Sequence, residues 1–286
     1  MFWAWKLLKV TMVNFMSDKA LSHGAAIAYY TVFAIAPILV IVIAVAGLLF
    51  GERAAQGAIA SQLSDLMGDA GARGIEALIR SASNRRAGLA ATAVGFGTLI
   101  LAASSVFIEM QSALNAVWKT KARHPSIRAF VRARAISFGL VVTVGFLLLV
   151  SLAVSTAISA LDKYLNHFFH GAHLIFQGVN FLISFVLISL LFAAVYKVLP
   201  DKRIAWGDVL IGAVTTSFLF TVGKLLIGLY IGSSAVTRAY GAAGGLIIVL
   251  LWVYYSAQIF LLGAEFTKAY AERHGSHAPR ALQPKD

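Results

Sequence analysis

Six stretches of this chain are each long and apolar enough to cross a lipid bilayer, and they leave no run that could build a separate soluble core. Spanning the hydrocarbon takes about 20 helical residues, with a working range of roughly 17 to 25. The stretches fall at 24–50, 88–110, 135–158, 174–199, 208–232 and 240–263. Without water in the bilayer interior, each such run has to satisfy its own backbone hydrogen bonds, which means a helix. The predicted fold class is all-α, a polytopic membrane protein with six transmembrane helices. Composition agrees, since 13% of the residues are charged against about 25% in soluble domains.

Two further helical pieces are expected. Over residues 1–16, Trp5, Leu8, Met12 and Phe15 recur at spacings of three and four with Lys6 and Lys9 among them, the pattern of an amphipathic helix lying in the membrane interface. No small-residue cleavage site follows a short apolar core, so this start is expected to be retained. Residues 51–87 read as a short helical outer segment between spans one and two. Ile59, Leu63 and Leu66, then Ile75, Leu78 and Ile79, mark helix faces, with Gly68, Gly71 and Gly74 separating them. Residues 1–272 form one membrane domain, and 273–286, with Gly275, Pro279 and Pro284, a disordered tail.

Orientation follows from the placement of Lys and Arg, which resist translocation. The loop after span two holds Lys119, Lys121, Arg123, Arg128, Arg132 and Arg134 and no acid. Lys197, Lys202 and Arg203 lie between spans four and five, and Lys268, Arg273, Arg280 and Lys285 follow span six. These segments are expected in the cytoplasm together with both termini. The opposite side offers Lys163 and Arg238, with residues 51–87 as the exception, where Arg53, Arg73, Arg80, Arg85 and Arg86 are partly balanced by Glu52, Asp65, Asp69 and Glu76. Read by position, the net charge of +12 calls for anionic lipid headgroups at the cytoplasmic loops. Nucleic acid is not expected as a partner.

The first span reads His23-Gly-Ala-Ala-Ile-Ala-Tyr-Tyr-Thr-Val-Phe-Ala-Ile-Ala-Pro37. The sixth reads Tyr240-Gly-Ala-Ala-Gly-Gly, then Leu251-Trp-Val-Tyr-Tyr-Ser-Ala-Gln258, ending Gly263-Ala-Glu-Phe-Thr267. The chain resembles the BrkB/YihY family of bacterial inner-membrane proteins, in the same order over nearly its whole length. That resemblance implies an all-helical inner-membrane protein of six spans and carries Gln258 and Glu265 over as motif positions. Members have carried the labels ribonuclease BN, serum-resistance factor and candidate transporter of lipid-like molecules, which share no one mechanism.

A charge inside the bilayer costs about 2.5–3.5 kcal/mol on insertion scales, so it needs a partner, water or a function. Lys224, midway along span five, is the clearest case, read either as a cavity-facing cation for an anionic group or as a snorkelling structural lysine. Glu109, followed by Gln111 and Asn115, sits near the cytoplasmic end of span two and is read as half-solvated. Glu265 is read as an interfacial carboxylate paired with nearby cations. Tyr29, Tyr30 and Thr31 bring three hydroxyls into an apolar setting, and Pro37 removes a backbone hydrogen bond and should kink its helix.

Gly228 and Gly232, then Gly241 and Gly245, have Gly-x-x-x-Gly spacing on either side of a short outer turn, which predicts a tight hairpin of spans five and six ahead of any homo-oligomer contact. His167, His170 and His173, spaced by three, fan across a helix face and make a poor metal site. There are no cysteines, and no metal or cofactor is expected. Without a cluster of carboxylates, a metal-ligand set or a phosphate-cradling glycine loop beside the basic loop, catalysis is not expected either.

These readings favour a carrier or flippase-like protein for an amphiphilic, anionic, lipid-like molecule, with Lys224 and the kinked first helix lining its cavity. The competing reading is a scaffold or envelope-integrity factor that transports nothing, for which a sealed and fully paired interior would speak.

Overall fold

A computed structural model describes residues 2–51, 56–57, 59–60, 63–64, 68, 71–76, 105–120, 172–233 and 244–277. Its helices are α1 (Phe2–Ser17), α2 (Ala20–Phe50), α3 (Ala172–Val198), α4 (Trp206–Ser233) and α5 (Gly244–Arg273), with helical segments at 71–76 and 105–117; no strand occurs among the described residues. Among the described residues three helices are long and apolar enough to cross a membrane: Gly178–Val198, Trp206–Ile231 and Gly244–Arg273. These match expected spans four, five and six. The first span falls within α2, which has 31 residues and continues as helix through Pro37. Span three and most of span two lie outside the described residues, as do His167, His170, Gly241 and the basic loop beyond Thr120.

α5 is the centre of the bundle, packing on α1, α2 and α4, while α3 packs on α4. Between α4 and α5 the contact is made by a reciprocal pattern. Each helix carries a glycine followed four residues later by a threonine, Gly212 and Thr216 on α4, Gly263 and Thr267 on α5. A Cβ added at Gly212 would land on the Thr267 side chain, and one at Gly263 on that of Thr216. Both threonine hydroxyls donate to their own glycine's carbonyl at 2.7 Å, which holds each side chain flat and satisfies its polar atom within the apolar seam. Tyr196 of α3 completes the junction. It is wholly buried, its hydroxyl donates to the Phe260 carbonyl at 2.7 Å and lies 3.1 Å from Thr216 Oγ1, and its ring stacks on Phe260.

Of the four glycines expected to form the hairpin, Gly241 and the surroundings of Gly232 lie outside the described residues. At Gly228 a Cβ would meet nothing within 4 Å. Gly245 is tightly packed, but its partner is Gly74 of the outer segment, where a Cβ would lie 2.7 Å from the Gly245 carbonyl oxygen. Gly71 and Gly74 thus lie inside the helical run 71–76 and do not break it, whereas Gly68 takes a positive φ of 74°. Beside Gly74, Ile75 is wholly buried against Ala28, Val249 and Val253.

Two boundaries also differ from expectation. α5 continues ten residues past 263 to Arg273, because Glu265 and Lys268 are held inside the protein and need not stop at an interface. Residues 274–277, expected in the tail, are held against the bundle, and 278–286 lie outside the described residues. Asp208, in the first turn of α4, accepts hydrogen bonds from the Ser276 amide at 3.1 Å and hydroxyl at 2.6 Å, and His277 packs on Trp118. A carboxylate at a helix N-terminus is favoured by the helix dipole, and here it also pins residues 274–277.

Candidate functional site

One end of the bundle collects α1's C-terminus, the close of segment 105–117, the loop 199–205, the start of α4 and the end of α5. Its centre is Asp18, in the two-residue corner between α1 and α2. Asp18 Oδ1 accepts a hydrogen bond from Lys119 Nζ, and Oδ2 lies 3.7 Å from Lys268 Nζ. Lys268 Nζ is in turn 4.0 Å from Glu265 Oε2, one helical turn before it, and the Asp18 carboxyl faces that of Glu265. Glu265 is wholly buried, and among the described residues neither of its oxygens has a hydrogen-bond partner within 3.5 Å, nor has Asp18 Oδ2.

Two strained residues frame this cluster. Lys19 (φ 55°) and Lys119 (φ 51°) both adopt the left-handed conformation without being glycine, at about 1–3 kcal/mol each. Lys119 closes segment 105–117: its amide donates to the Ala116 carbonyl and that of Thr120 to Asn115, the Schellman geometry in which glycine is usual. The conformation sends the Lys119 ammonium across to Asp18. Burial alone would push the Asp18 carboxyl up, but the Lys119 hydrogen bond and the charges of Lys268 and Lys119 outweigh it and hold the group below its usual value of 3.8. A depressed carboxyl contributes stability that is complete above its unfolded pKa and is lost as pH falls through its folded one. Asp18→Asn should therefore lower the apparent melting temperature of detergent-solubilised protein at pH 7, with the gap to wild type closing as pH is taken below 3.8. A gap that widens on acidification would contradict this account.

Around the cluster, His23 Nδ1 lies 2.7 Å from Glu109 Oε1, joining the start of α2 to segment 105–117. Asn115 and Asp201 exchange two hydrogen bonds, at 2.8 and 2.9 Å. Lys202 sits over the Trp118 ring and Lys197 over Trp206, each at 5.2 Å. Lysines with indoles at one end of apolar helices are the usual furniture of a membrane interface.

Beside this end, a laterally open groove of ≈ 270 Å³ runs between α1, α4 and α5. Met12 and Phe15 form one wall, Val222, Gly223 and Leu226 of α4 the other, and Gln258 lies on the α5 side. Gln258 reaches past Gly24, where any Cβ would collide with it, to donate weakly to the Leu21 carbonyl at 3.4 Å, and its Oε1 has no hydrogen-bond partner.

Residues 11–286 match the protein family described as "Virulence factor BrkB". The chain belongs to that family. Among relatives of this BrkB-family protein, a UPF0761 membrane protein of Stenotrophomonas maltophilia is 28% identical over 90% of the chain and 59% of its own length. One of Alteromonas mediterranea is 29% identical over 68% of the chain and 65% of its own. The UPF0761 membrane protein YihY of Salmonella typhimurium is 31% identical over 63% of the chain and 60% of its own. The chain spans about three fifths of the length of these curated relatives. No solved structure matches it.

In this BrkB-family protein the residues singled out from sequence are not gathered at one place. Glu265 is wholly buried in the charge cluster, with Lys268 as its neighbouring cation. Glu109 is half-buried, as expected, with His23 as partner. Gln258 lines the groove. Thr31 spends its hydroxyl on the Ile27 carbonyl at 2.7 Å, while Tyr29 and Tyr30 are exposed on α2. Lys224 is half-buried and, among the described residues, has no hydrogen-bond or ion-pair partner. It is not in the lining of the groove, which takes its neighbour Gly223, because consecutive helical residues point about 100° apart. Side chains of Pro37, Gly232 and His173 lie outside the described ones.

Sequence reasoning did not name Asp18, quoted His23 only within a motif, and used Lys119 and Lys268 only for orientation. Two signals were available: the i,i+3 pairing of Glu265 with Lys268, and the polar Ser17-Asp18-Lys19 break between two apolar helices. The residues named for the apolar stripe of α1 fall on two faces. Leu7, Thr11 and Phe15 are buried, whereas Trp5, Leu8 and Met12 face outward with Lys6 and Lys9.

Proposed function

We propose that this membrane protein is a carrier or flippase-like protein of the bacterial inner membrane for an amphiphilic, anionic, lipid-like molecule. The observation that carries this reading is the neighbourhood of Gly223 and Lys224: an apolar groove open to the side, and one residue away a cation within a spanning helix that has no partner among the described residues. An amphiphile supplies apolar matter to the first at rest and, while it crosses, an anionic head to the second. A scaffold would want a sealed, fully paired interior, whereas among the described residues Glu265, Asp18 and Gln258 keep buried oxygens without a hydrogen bond inside 3.5 Å.

The six-span, both-ends-cytoplasmic arrangement belongs to this proposal. Supporting it, Asp18, Lys119, Asp201, Asp208 and Ser276 meet at one end through hydrogen bonds. That end carries the lysines expected in the cytoplasm. In the arrangement α2 leaves it, α3 returns, α4 leaves and α5 returns, with one return between α2 and Lys119 and one departure between Lys119 and α3.

The test is reconstitution in vesicles with labelled anionic lipid. Lys224→Ala should slow its translocation about tenfold, near 1.4 kcal/mol of lost interaction, and leave a zwitterionic lipid unaffected. Equal rates for wild type and variant would remove Lys224 from the mechanism.

A further inference from the structure

We infer that the groove between α1 and α4 holds one acyl chain of an anionic glycerophospholipid, whose phosphate is drawn to Lys9 and Lys6 on the outer face of α1. This rests on the carrier reading for its biological meaning and deepens it by naming the site and class of the cargo. At ≈ 270 Å³ the groove lies just below the roughly 300–1,000 Å³ of sites for bulky ligands, so a slender chain fits and a large rigid solute does not.

What lies against the opening follows from the elements that form it. α4 and α5 are spanning helices by length and apolarity. The rim residues Leu226 and Met12 are 57% and 55% exposed, and α4 continues outward through Leu225 and Leu229, 62% and 72% exposed. Such a surface is wetted by hydrocarbon, which makes a lipid of the surrounding membrane the molecule at the mouth.

Charge selects among lipids. A shallow hollow along α1, lined by Lys9, Met12, Val13, Met16 and Ser17, shares Met12 with the groove. A chain lying in the groove therefore has its head beside Lys9, with Lys6 one turn away on the same helix. Both lysines are exposed, and no acid occurs on α1 itself. Gln258 and the Tyr255 ring bound the groove on the α5 side.

The experiment uses the full chain in phosphatidylcholine vesicles containing phosphatidylglycerol with a photoactivatable group midway along its acyl chain, followed by mapping of the labelled residues. Label should concentrate on Met12, Leu226 and Ile259. Leu226→Trp, which fills the groove, should cut labelling of Met12 and Ile259 about tenfold, whereas Leu229→Trp on the outer face leaves it unchanged. Val222→Trp on the same wall gives an independent reading if the first variant does not assemble.

Lys9→Gln should lower the preference for phosphatidylglycerol over a phosphatidylcholine probe about fivefold, the worth of one lysine near an anionic lipid. Label spread evenly over Leu225, Leu226 and Leu229, or insensitive to both tryptophans, overturns the site. Equal labelling by both headgroups in wild type overturns the anionic assignment. Movement of the same probe between leaflets is measured in parallel. Groove labelling without movement keeps the site and overturns the carrier; movement without groove labelling does the reverse.

Discussion

Gly263→Ala is expected to destabilise the protein by about 2–3 kcal/mol, the cost of forcing one extra carbon into a closed seam. The new Cβ would land on Thr216 Oγ1 and lie 2.7 Å from the Tyr196 hydroxyl. It would push apart three helices at the point where one tyrosine hydroxyl joins them. For a chain of this size that corresponds to a fall of roughly 5–10 °C in apparent melting temperature. The comparison is Gly228→Ala on the same helix pair, where the added carbon meets open space and alanine's better helix propensity gives about 0.4–1 kcal/mol of gain. Thermal unfolding of both variants in detergent checks the pair of outcomes. A Gly263→Ala protein as stable as wild type would show that the seam is looser than described.

The second large effect is expected at Lys268. Its ammonium is the buried cation between the carboxyls of Asp18 and Glu265; Asp18 keeps Lys119, so the carboxyl left without a cation is that of Glu265, and removing one partner of a buried pair costs about 3–5 kcal/mol. Lys268→Met should therefore abolish or sharply reduce the folded yield. Adding Glu265→Gln to it should recover most of the loss, since an amide carries no charge to be compensated. Lys119→Met should cost less, about 1 kcal/mol or under, because the Lys119 side chain is 61% exposed. If the double variant is no better than Lys268→Met alone, the loss comes from packing of the lysine stem and not from charge.

The sequence made the membrane class and the helices visible because hydrocarbon imposes a length and an apolarity that a run such as 174–199 cannot disguise. α3, α4 and α5 accordingly fall within a few residues of expectation at most ends. The end of α5 was not visible. A charged residue in sequence reads as the water boundary, and only the fold reveals that Asp18, 247 positions before Glu265, comes round to share Lys268 with it. The glycines of the observed seam, Gly212 and Gly263, were not visible for a related reason. Gly-x-x-x-Gly is a statement about one helix, whereas the observed seam depends on what the other helix offers opposite each glycine, a threonine in both cases. The groove was legible only through Gln258, as a motif position. Its walls are ordinary apolar residues whose convergence depends on where α1 turns back at Lys19.

The seam between α4 and α5 has a mechanical corollary. Each threonine occupies the notch of the opposite helix's glycine, so a slip of one residue along the axis would set a side chain where there is space for none. The two helices are thereby locked against sliding, like a toothed rack engaged at two teeth. In the proposed carrier, a change in the width of the crevice they share with α1 would then fall to α1, a sixteen-residue amphipathic arm turning at its corner, and not to sliding of the two spanning helices.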